Sequence, residues 1–369
     1  MRTRFPTYRT HPRLLLIIVP CLLLLQHCGG GGGIGSGATS GTGTTPVAVN
    51  VCAATPAGEI LSAALPGAGS GAMYSAGNVA PVKGSVTIDA SGNFTYTPFR
   101  NFPSGDGFAR GMDTFSYRVT ASERTTEGVV TVFIDGPARI MPLGDSITWG
   151  ITVGDSHPQQ PPLDQRVGYR KALQDSLVGG GYHVGFVGTL SSGAGLLDDP
   201  GHEGHGGWTA DQLVNGNPTP DPGTGAGALS QWLNVTQPDV VLVHIGTNDL
   251  NGNTDPAKEA EDVDAILNTI ENWGSANWPV WVILARIINT SPTLTSADRR
   301  AATTTFNNAI ADTVYPRHAG TGRVILVDQE STLTSASDYG DAIHPNADGY
   351  QKMAAVWRPA LASVVSKCR

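Results

Sequence analysis

The sequence predicts an α/β protein: a five-stranded parallel sheet with helices on both faces, preceded by an antiparallel β-sandwich. Three observations carry this. From residue 138 onward, continuously apolar runs alternate with helical stretches. Residues 46–136 instead hold short stretches of every-other-residue alternation, separated by turn residues. The composition shifts at Gly136 and Pro137, between the two patterns. A strand covered on both faces has no polar side, so apolar runs joined by helices mean a parallel sheet. Alternation means one buried face, and short alternating strands at this spacing argue for a sandwich.

The chain begins with Arg2, Arg4, Arg9 and Arg13 ahead of "LLLIIVPCLLLL", a 12-residue apolar run. That run is too short to span a bilayer comfortably. A basic flank before a short apolar core reads as a signal peptide, residues 1–28. Cys28 follows closely on this core and precedes a glycine tract, which resembles a bacterial lipoprotein signal. His27 stands where such signals usually carry a small residue. The expectation is therefore export, either secreted or lipid-anchored through Cys28 at the bacterial cell envelope. Residues 29–45, rich in Gly, Ser and Thr, read as a flexible tether.

In the 46–136 segment, "SVTID", "NFTYTP", "TFSYRVTA" and "VVTVFI" alternate, with "ASGN" and "PSGDG" as turns. The wording from Gly84 to Ile134 resembles bacterial cadherin-like or immunoglobulin-like modules. That resemblance implies a spacer or an adhesive unit, a glycan among its conceivable ligands. Fold alone does not name a ligand.

In the 138–369 segment, five apolar runs are candidate strands: "ARIMPLG", "HVGFVGTL", "DVVLVHIGTND", "PVWVILARI" and "RVILVDQES". Between them, "GYRKALQDSLVGGG", "ALSQWLNVTQ", "DPAKEAEDVDAILNTIENW" and "TSADRRAATTTFNNAIADTVY" read as helices. "NADGYQKMAAVWRPALASVVSK" reads as a final helix. This segment is expected to function without the one before it.

The whole chain has 369 residues, 40% of them hydrophobic, enough for sizeable cores. Its formal net charge is −8, and no basic block follows the first 13 residues, which argues against a nucleic-acid partner. Of four cysteines, Cys21 lies in the signal and Cys28 is the lipid candidate. Export permits a disulfide between Cys52 and Cys368. The two fall in different expected domains, so two free thiols are favoured over a bond.

The chemistry gathers at strand ends. In open α/β sheets, ligands bind outside the carboxyl ends of the strands. "GDSIT" puts Ser146 after the first run, "GHEGHGGWT" follows the second, "HIGTND" closes the third and "DAIH" follows the fifth. His344 is the natural base for a Ser146 nucleophile, since its proton affinity suits neutral pH. Asp341, three residues earlier, can hold the imidazole tautomer. The Ser146 N–H, the Gly207 N–H and the Asn248 carboxamide can donate to an oxyanion. Glycine at position 207 lets the backbone come close.

These four blocks, in this order, resemble the SGNH, or GDSL-like, hydrolase superfamily. "MPLGDSIT", "GYR", "HEGHGGWT" and "IHPNADGYQKMA" further resemble carbohydrate esterase family 3, whose members include acetyl xylan esterases. The resemblance covers residues 138–368. It implies a flavodoxin-like fold and a cofactor-free serine esterase that removes O-acetyl groups from a polysaccharide such as xylan through an acyl-enzyme. A proline-rich loop between "GDSITWG" and "GYR" departs from the pattern and can reshape the cleft. The alternatives are a lipase or acyl-thioesterase, and a non-catalytic adhesive or carbohydrate-binding protein.

Neighbouring residues have plainer readings. Asp145 is expected to brace the turn, Asp249 to serve the turn after Asn248, and His244 to be a core histidine. His202, Glu203 and His205 are read as shaping the oxyanion loop, so no metal is assigned. Asp338 competes with Asp341 at a poorer spacing. Trp149 and Trp208 flank the site and are candidate sugar-stacking residues, core packing being the other reading. Trp357 is expected in the core.

Overall fold

The computed structural model describes residues 45–100, 107–154, 159–219, 226–252 and 254–368. The expected signal peptide, Cys28 and nearly all of the tether lie outside the described residues, as does most of the "PSGDG" turn.

Among the described residues, seven strands build the sandwich: β1 (Val51–Thr55), β2 (Leu61–Ala64), β3 (Met73–Ala76), β4 (Gly84–Ile88), β5 (Asn93–Pro98), β6 (Gly111–Ala121) and β7 (Arg124–Ile134). They form two sheets, ordered β1-β7-β6-β3 and β2-β5-β4. Alternate residues point inward, so Phe94 and Tyr96 of β5 meet Phe115, Tyr117 and Val119 of β6 in one core. One pair departs from the expected antiparallel pattern: β1 runs parallel to β7. After β1 the chain crosses to the other sheet as β2, so no tight hairpin forces β1 antiparallel to its neighbour.

The chain passes from β7 to β8 (Ala138–Gly144) through Asp135 and Gly136, both at positive φ, 56° and 123°. Then follow α1 (Ser146–Trp149), α2 (Arg170–Gly179), β9 (Val184–Phe186), β10 (Leu190–Ser191), β11 (Gly201–Gly204), α3 (Ala210–Asn215) and α4 (Leu229–Thr236). The rest are β12 (Val240–His244), α5 (Pro256–Ala276), β13 (Trp281–Arg286), α6 (Ala297–Ala309), α7 (Tyr315–Ala319), β14 (Val324–Asp328) and α8 (Ala347–Val364).

All five expected strands are present, but among the described residues β10 and β11 bring the sheet to seven strands rather than five. β9 pairs with the first half of β8 and β11 with its end, both parallel. Beyond β8 the order is β12, β13, β14, all parallel, and β10 adds a short antiparallel edge to β11. The apolar runs are explained by two cores. Met141, Leu143, Val241, Val243, Val282 and Leu284 face α3 to α6. Ile140, Val240, Leu242, Ile283 and Ala285 alternate with them and face α2 and α8. The "GHEG" of β11 carries no apolar run and reads from sequence as loop; its register with β8, not its propensity, makes it a strand.

The two parts are more than tethered. Lys83 is 1% exposed and pairs with Asp239, the residue before β12. Its ammonium also donates to the Arg110 carbonyl at 2.7 Å and lies 4.3 Å from the centre of the Trp278 ring. Asp239 Oδ2 accepts the N–H groups of Met112 at 2.9 Å and Arg139 at 2.7 Å. Cys52 and Cys368 form a disulfide, Cα to Cα 5.8 Å, which overturns the expectation of free thiols. The reason is positional: β1 and the residues after α8 both lie at the amino-terminal edge of the parallel sheet. There Thr131 of β7 also bonds Ser366 at 2.8 Å. The sandwich therefore covers the edge opposite the one that carries the strand-end motifs.

Two stability effects follow. Lys83→Met leaves Asp239 buried without its cation and should cost about 3–5 kcal/mol. The shift of the urea midpoint measures it; an unchanged midpoint would mean the pair is energetically idle. Replacing both cysteines, as Cys52→Ser with Cys368→Ser, opens a link between residues 316 apart in sequence. The loss should be about 2–4 kcal/mol, seen as a lower Tm that added reductant no longer changes.

Candidate active site

Strand register brings three of the motifs together. Gly144 of β8 lies opposite His244 of β12 on one side and Gly204 of β11 on the other. The residues just beyond these strand ends, Ser146, Asn248 and Gly207, therefore emerge side by side. Gly144 must be glycine: a Cβ there would lie 2.1 Å from the His244 carbonyl oxygen. Gly207 has φ +79° and open space where a Cβ would go. Its requirement is thus the left-handed backbone rather than the close approach expected from sequence. Ser146 and Asn248 are half-buried and Gly207 is exposed, so the site opens to solvent.

Asp145 caps α1 by accepting the Ile147 N–H at 2.9 Å, the bracing role expected of it. It is fully buried, and burial pushes its carboxyl up to about 6. Ser146 is the first residue of α1, its hydroxyl 2.9 Å from His344 Nε2.

The "DAIHPN" segment folds on itself. Gly340 N–H donates to the His344 carbonyl at 2.9 Å, and Asn346 caps α8 by accepting the Gly349 N–H. Asp341 Oδ1 accepts the N–H groups of Ile343 at 2.9 Å and His344 at 2.7 Å. Its Oδ2 lies 2.7 Å from His344 Nδ1. Burial alone would raise this carboxyl, but the His344 ring and the two backbone donors outweigh it and hold it below the usual aspartate range. An ionised Asp341 fixes the proton on Nδ1 and leaves Nε2 to accept from Ser146. Asp338 is turned elsewhere, to Lys352 at 2.7 Å. The carboxylates on either side of the Ser146–His344 pair are thus pushed in opposite directions, Asp145 upward and Asp341 downward.

The Asn248 amide donates to the Trp208 carbonyl at 2.9 Å, tying the "GTND" turn to the Gly207 loop. Asp249 accepts the Ala210 N–H at 2.9 Å and joins the same turn to the start of α3. Behind Gly207, His205 Nε2 lies 3.0 Å from Glu203 Oε2, and Glu203 accepts the Thr189 N–H and hydroxyl. His202 Nε2 meets Ser192 Oγ at 2.9 Å, and its Nδ1 accepts the Gly204 N–H at 2.9 Å. These ring nitrogens are engaged within the protein, in keeping with a loop-shaping role. His244 is a buried histidine whose Nε2 accepts the Ile288 N–H at 3.2 Å, and burial pushes its pKa down to about 4.

The aromatic pair needs correcting. Trp208 is 1% exposed and packs with His205 and Trp232 in the core. Trp149 is 8% exposed beneath the Arg166 guanidinium, 4.8 Å from the ring centre. Neither offers a free ring face to a sugar, because each flanks the site on the core side of its loop. Trp357 is fully buried against Tyr169, as expected.

Two arginines support the site, and the partners of Arg299 lie too far along the chain to give any sequence signal. Arg299 of α6 donates to the carbonyls of Thr247 and Leu250, clamping the turn that bears Asn248. Arg170, fully buried, donates to the carbonyls of Arg166 at 2.9 Å, Pro200 at 2.9 Å and Ser192 at 3.2 Å. It thereby explains the "GYR" word as a structural one.

A serine, histidine and aspartate in one hydrogen-bonded chain at the carboxyl edge of a parallel sheet define a hydrolase of the nucleophilic-serine class. Residues 140–357 match the family model described as GDSL-like lipase/acylhydrolase, and the chain belongs to that family, hydrolases that act on esters. Residues 36–133 match the model of a bacterial Ig domain. A multidomain esterase of Ruminococcus flavefaciens is 29% identical over 254 residues, 60% of this chain. The match spans only 28% of that relative's length. A family 3 carbohydrate esterase of Clostridium thermocellum is 28% identical, with a TM-score of 0.46 over 62% of this chain and 99% of that one. A carbohydrate acetylesterase from Sinorhizobium meliloti is 17% identical, with a TM-score of 0.43 over 62% and 99%.

Proposed function

We propose that the protein is an exported serine esterase that removes O-acetyl groups from a polysaccharide such as xylan. The observation that carries the chemistry is the chain from Ser146 Oγ to His344 Nε2 at 2.9 Å and from His344 Nδ1 to Asp341 Oδ2 at 2.7 Å. Ser146 Oγ attacks the acyl carbon and passes its proton to His344. The oxyanion that forms is met by the Ser146 and Gly207 N–H groups and the Asn248 carboxamide. His344 returns the proton to the sugar oxygen, which leaves as an alcohol. Water, deprotonated by the same histidine, then releases acetate and restores Ser146. No cofactor takes part.

The acetyl and carbohydrate assignments rest on the family 3 wording of the motifs. The Ruminococcus relative's name supports an esterase. Export is supported by the basic and apolar opening of the sequence and by the disulfide, which persists in oxidising compartments. The sandwich covers the sheet edge opposite the triad, which supports a spacer role. Acetate release from a panel of acetylated glycans, set against hydrolysis of long-chain esters, tests the substrate. Faster turnover of long-chain esters would replace this reading with a lipase.

Asn248→Asp tests the oxyanion donor. The carboxylate would lose the donor and repel the developing negative charge, lowering kcat roughly a hundred- to a thousandfold with KM little changed. The same change also breaks the bond to the Trp208 carbonyl, so Tm should fall as well. Normal turnover per folded molecule would remove Asn248 from the oxyanion hole.

A further inference from the structure

We propose that the protein binds one calcium ion through Asp249, Glu259 and Asp262, directly behind the turn that carries Asn248. One carboxylate oxygen from each of the three lies within 4.8 Å of the others. Two oxygens on opposite sides of a calcium ion stand about 4.6 to 5.2 Å apart, so this grouping fits within one coordination sphere.

Asp249 supplies the observation that separates this group from an ordinary acidic patch. Its side chain is 4% exposed. Oδ1 is held by the Ala210 N–H at 2.9 Å, whereas Oδ2 is buried with no hydrogen-bond partner. A buried carboxylate oxygen with nothing to accept is costly, and a cation removes that cost. Glu259 and Asp262 are half-buried and stand three residues apart on α5, so they share one face of its opening turns. Asp211 adds negative charge near Asp262, and Lys258 is the opposing cation there. The donor set is all oxygen, which selects a hard divalent cation. Calcium tolerates an irregular carboxylate set completed by water, whereas magnesium demands near-octahedral geometry at shorter distances.

The ion joins three elements. Asp249 belongs to the turn after β12, its other oxygen holds the start of α3, and Glu259 and Asp262 belong to α5. Those elements position Asn248 and, through Trp208, the Gly207 loop. Calcium is therefore expected to stiffen the oxyanion side of the site without touching substrate.

The test uses the full chain, stripped with chelator and desalted. Millimolar calcium should raise Tm by about 3–6 °C, and metal analysis after dialysis should find one calcium per chain. Magnesium at the same concentration should give a much smaller rise. Glu259→Gln with Asp262→Asn should fold and lose the calcium response; Asp262→Asn alone serves if the pair does not fold. No calcium-dependent rise in the wild-type protein would overturn the proposal, as would an undiminished rise in the folded variants or an equal response to magnesium.

Discussion

Ser146→Ala should lower kcat on an acetate ester by about a millionfold, the scale set by removal of a nucleophile from a working triad. The hydroxyl sits 2.9 Å from the base that would take its proton, and no second hydroxyl stands in that place among the described contacts of His344. The fold should survive. Asp145 caps α1 through its own side chain, so the helix does not depend on the serine hydroxyl. The loss of one half-exposed hydrogen bond is worth about 1 kcal/mol. Some rate above the uncatalysed reaction should remain, because bound ester would still meet the oxyanion donors. Kinetics and thermal melting on one preparation separate chemistry from folding. Turnover within tenfold of wild type would require another nucleophile and dismantle the proposed mechanism.

Asp341→Asn should cost roughly ten-thousandfold in kcat, with little change in Tm. The asparagine carbonyl can still accept the N–H groups of Ile343 and His344, so the turn is retained. Its amide, however, would present a donor to His344 Nδ1, where the aspartate presents an acceptor. The imidazole then satisfies that donor by placing its proton on Nε2, the atom that must accept from Ser146. Asp338→Asn is the control. Asp338 pairs with Lys352 and caps a short turn through Ser335, so its loss should lower stability while leaving turnover per folded molecule nearly intact. The reverse ranking of these two variants would hand the orienting role to Asp338.

The triad was legible because its parts are short words with fixed local geometry. The spacing from Asp341 to His344 is closed within one turn, and Asp145 caps the helix that begins at Ser146, so both could be read without knowing the rest of the molecule. The five expected strands were legible for a similar reason. Runs such as "VVLVH" and "WVILAR" are apolar on both sides because each strand feeds two cores. β11 was not legible. Its "GHEG" has neither an apolar run nor alternation, and only the free edge of β8 makes it a strand. β1, β2 and β3 escaped for want of pattern as well, being built largely from Ala, Ser and Cys.

The sequence by itself determined the order of the long apolar strands and of the long helices between them, and the residues at each strand end that could form a serine hydrolase site. Tertiary structure alone decided what the exposed-looking residues face. It buried Trp208 in the core and drew Cys52 to Cys368. It set Lys83 against Asp239 and turned Arg299 onto the Asn248 turn. Those outcomes depend on partners from tens to hundreds of residues away. Local propensity and periodicity act over a few residues, and only the packing of completed elements brings such distant groups into range.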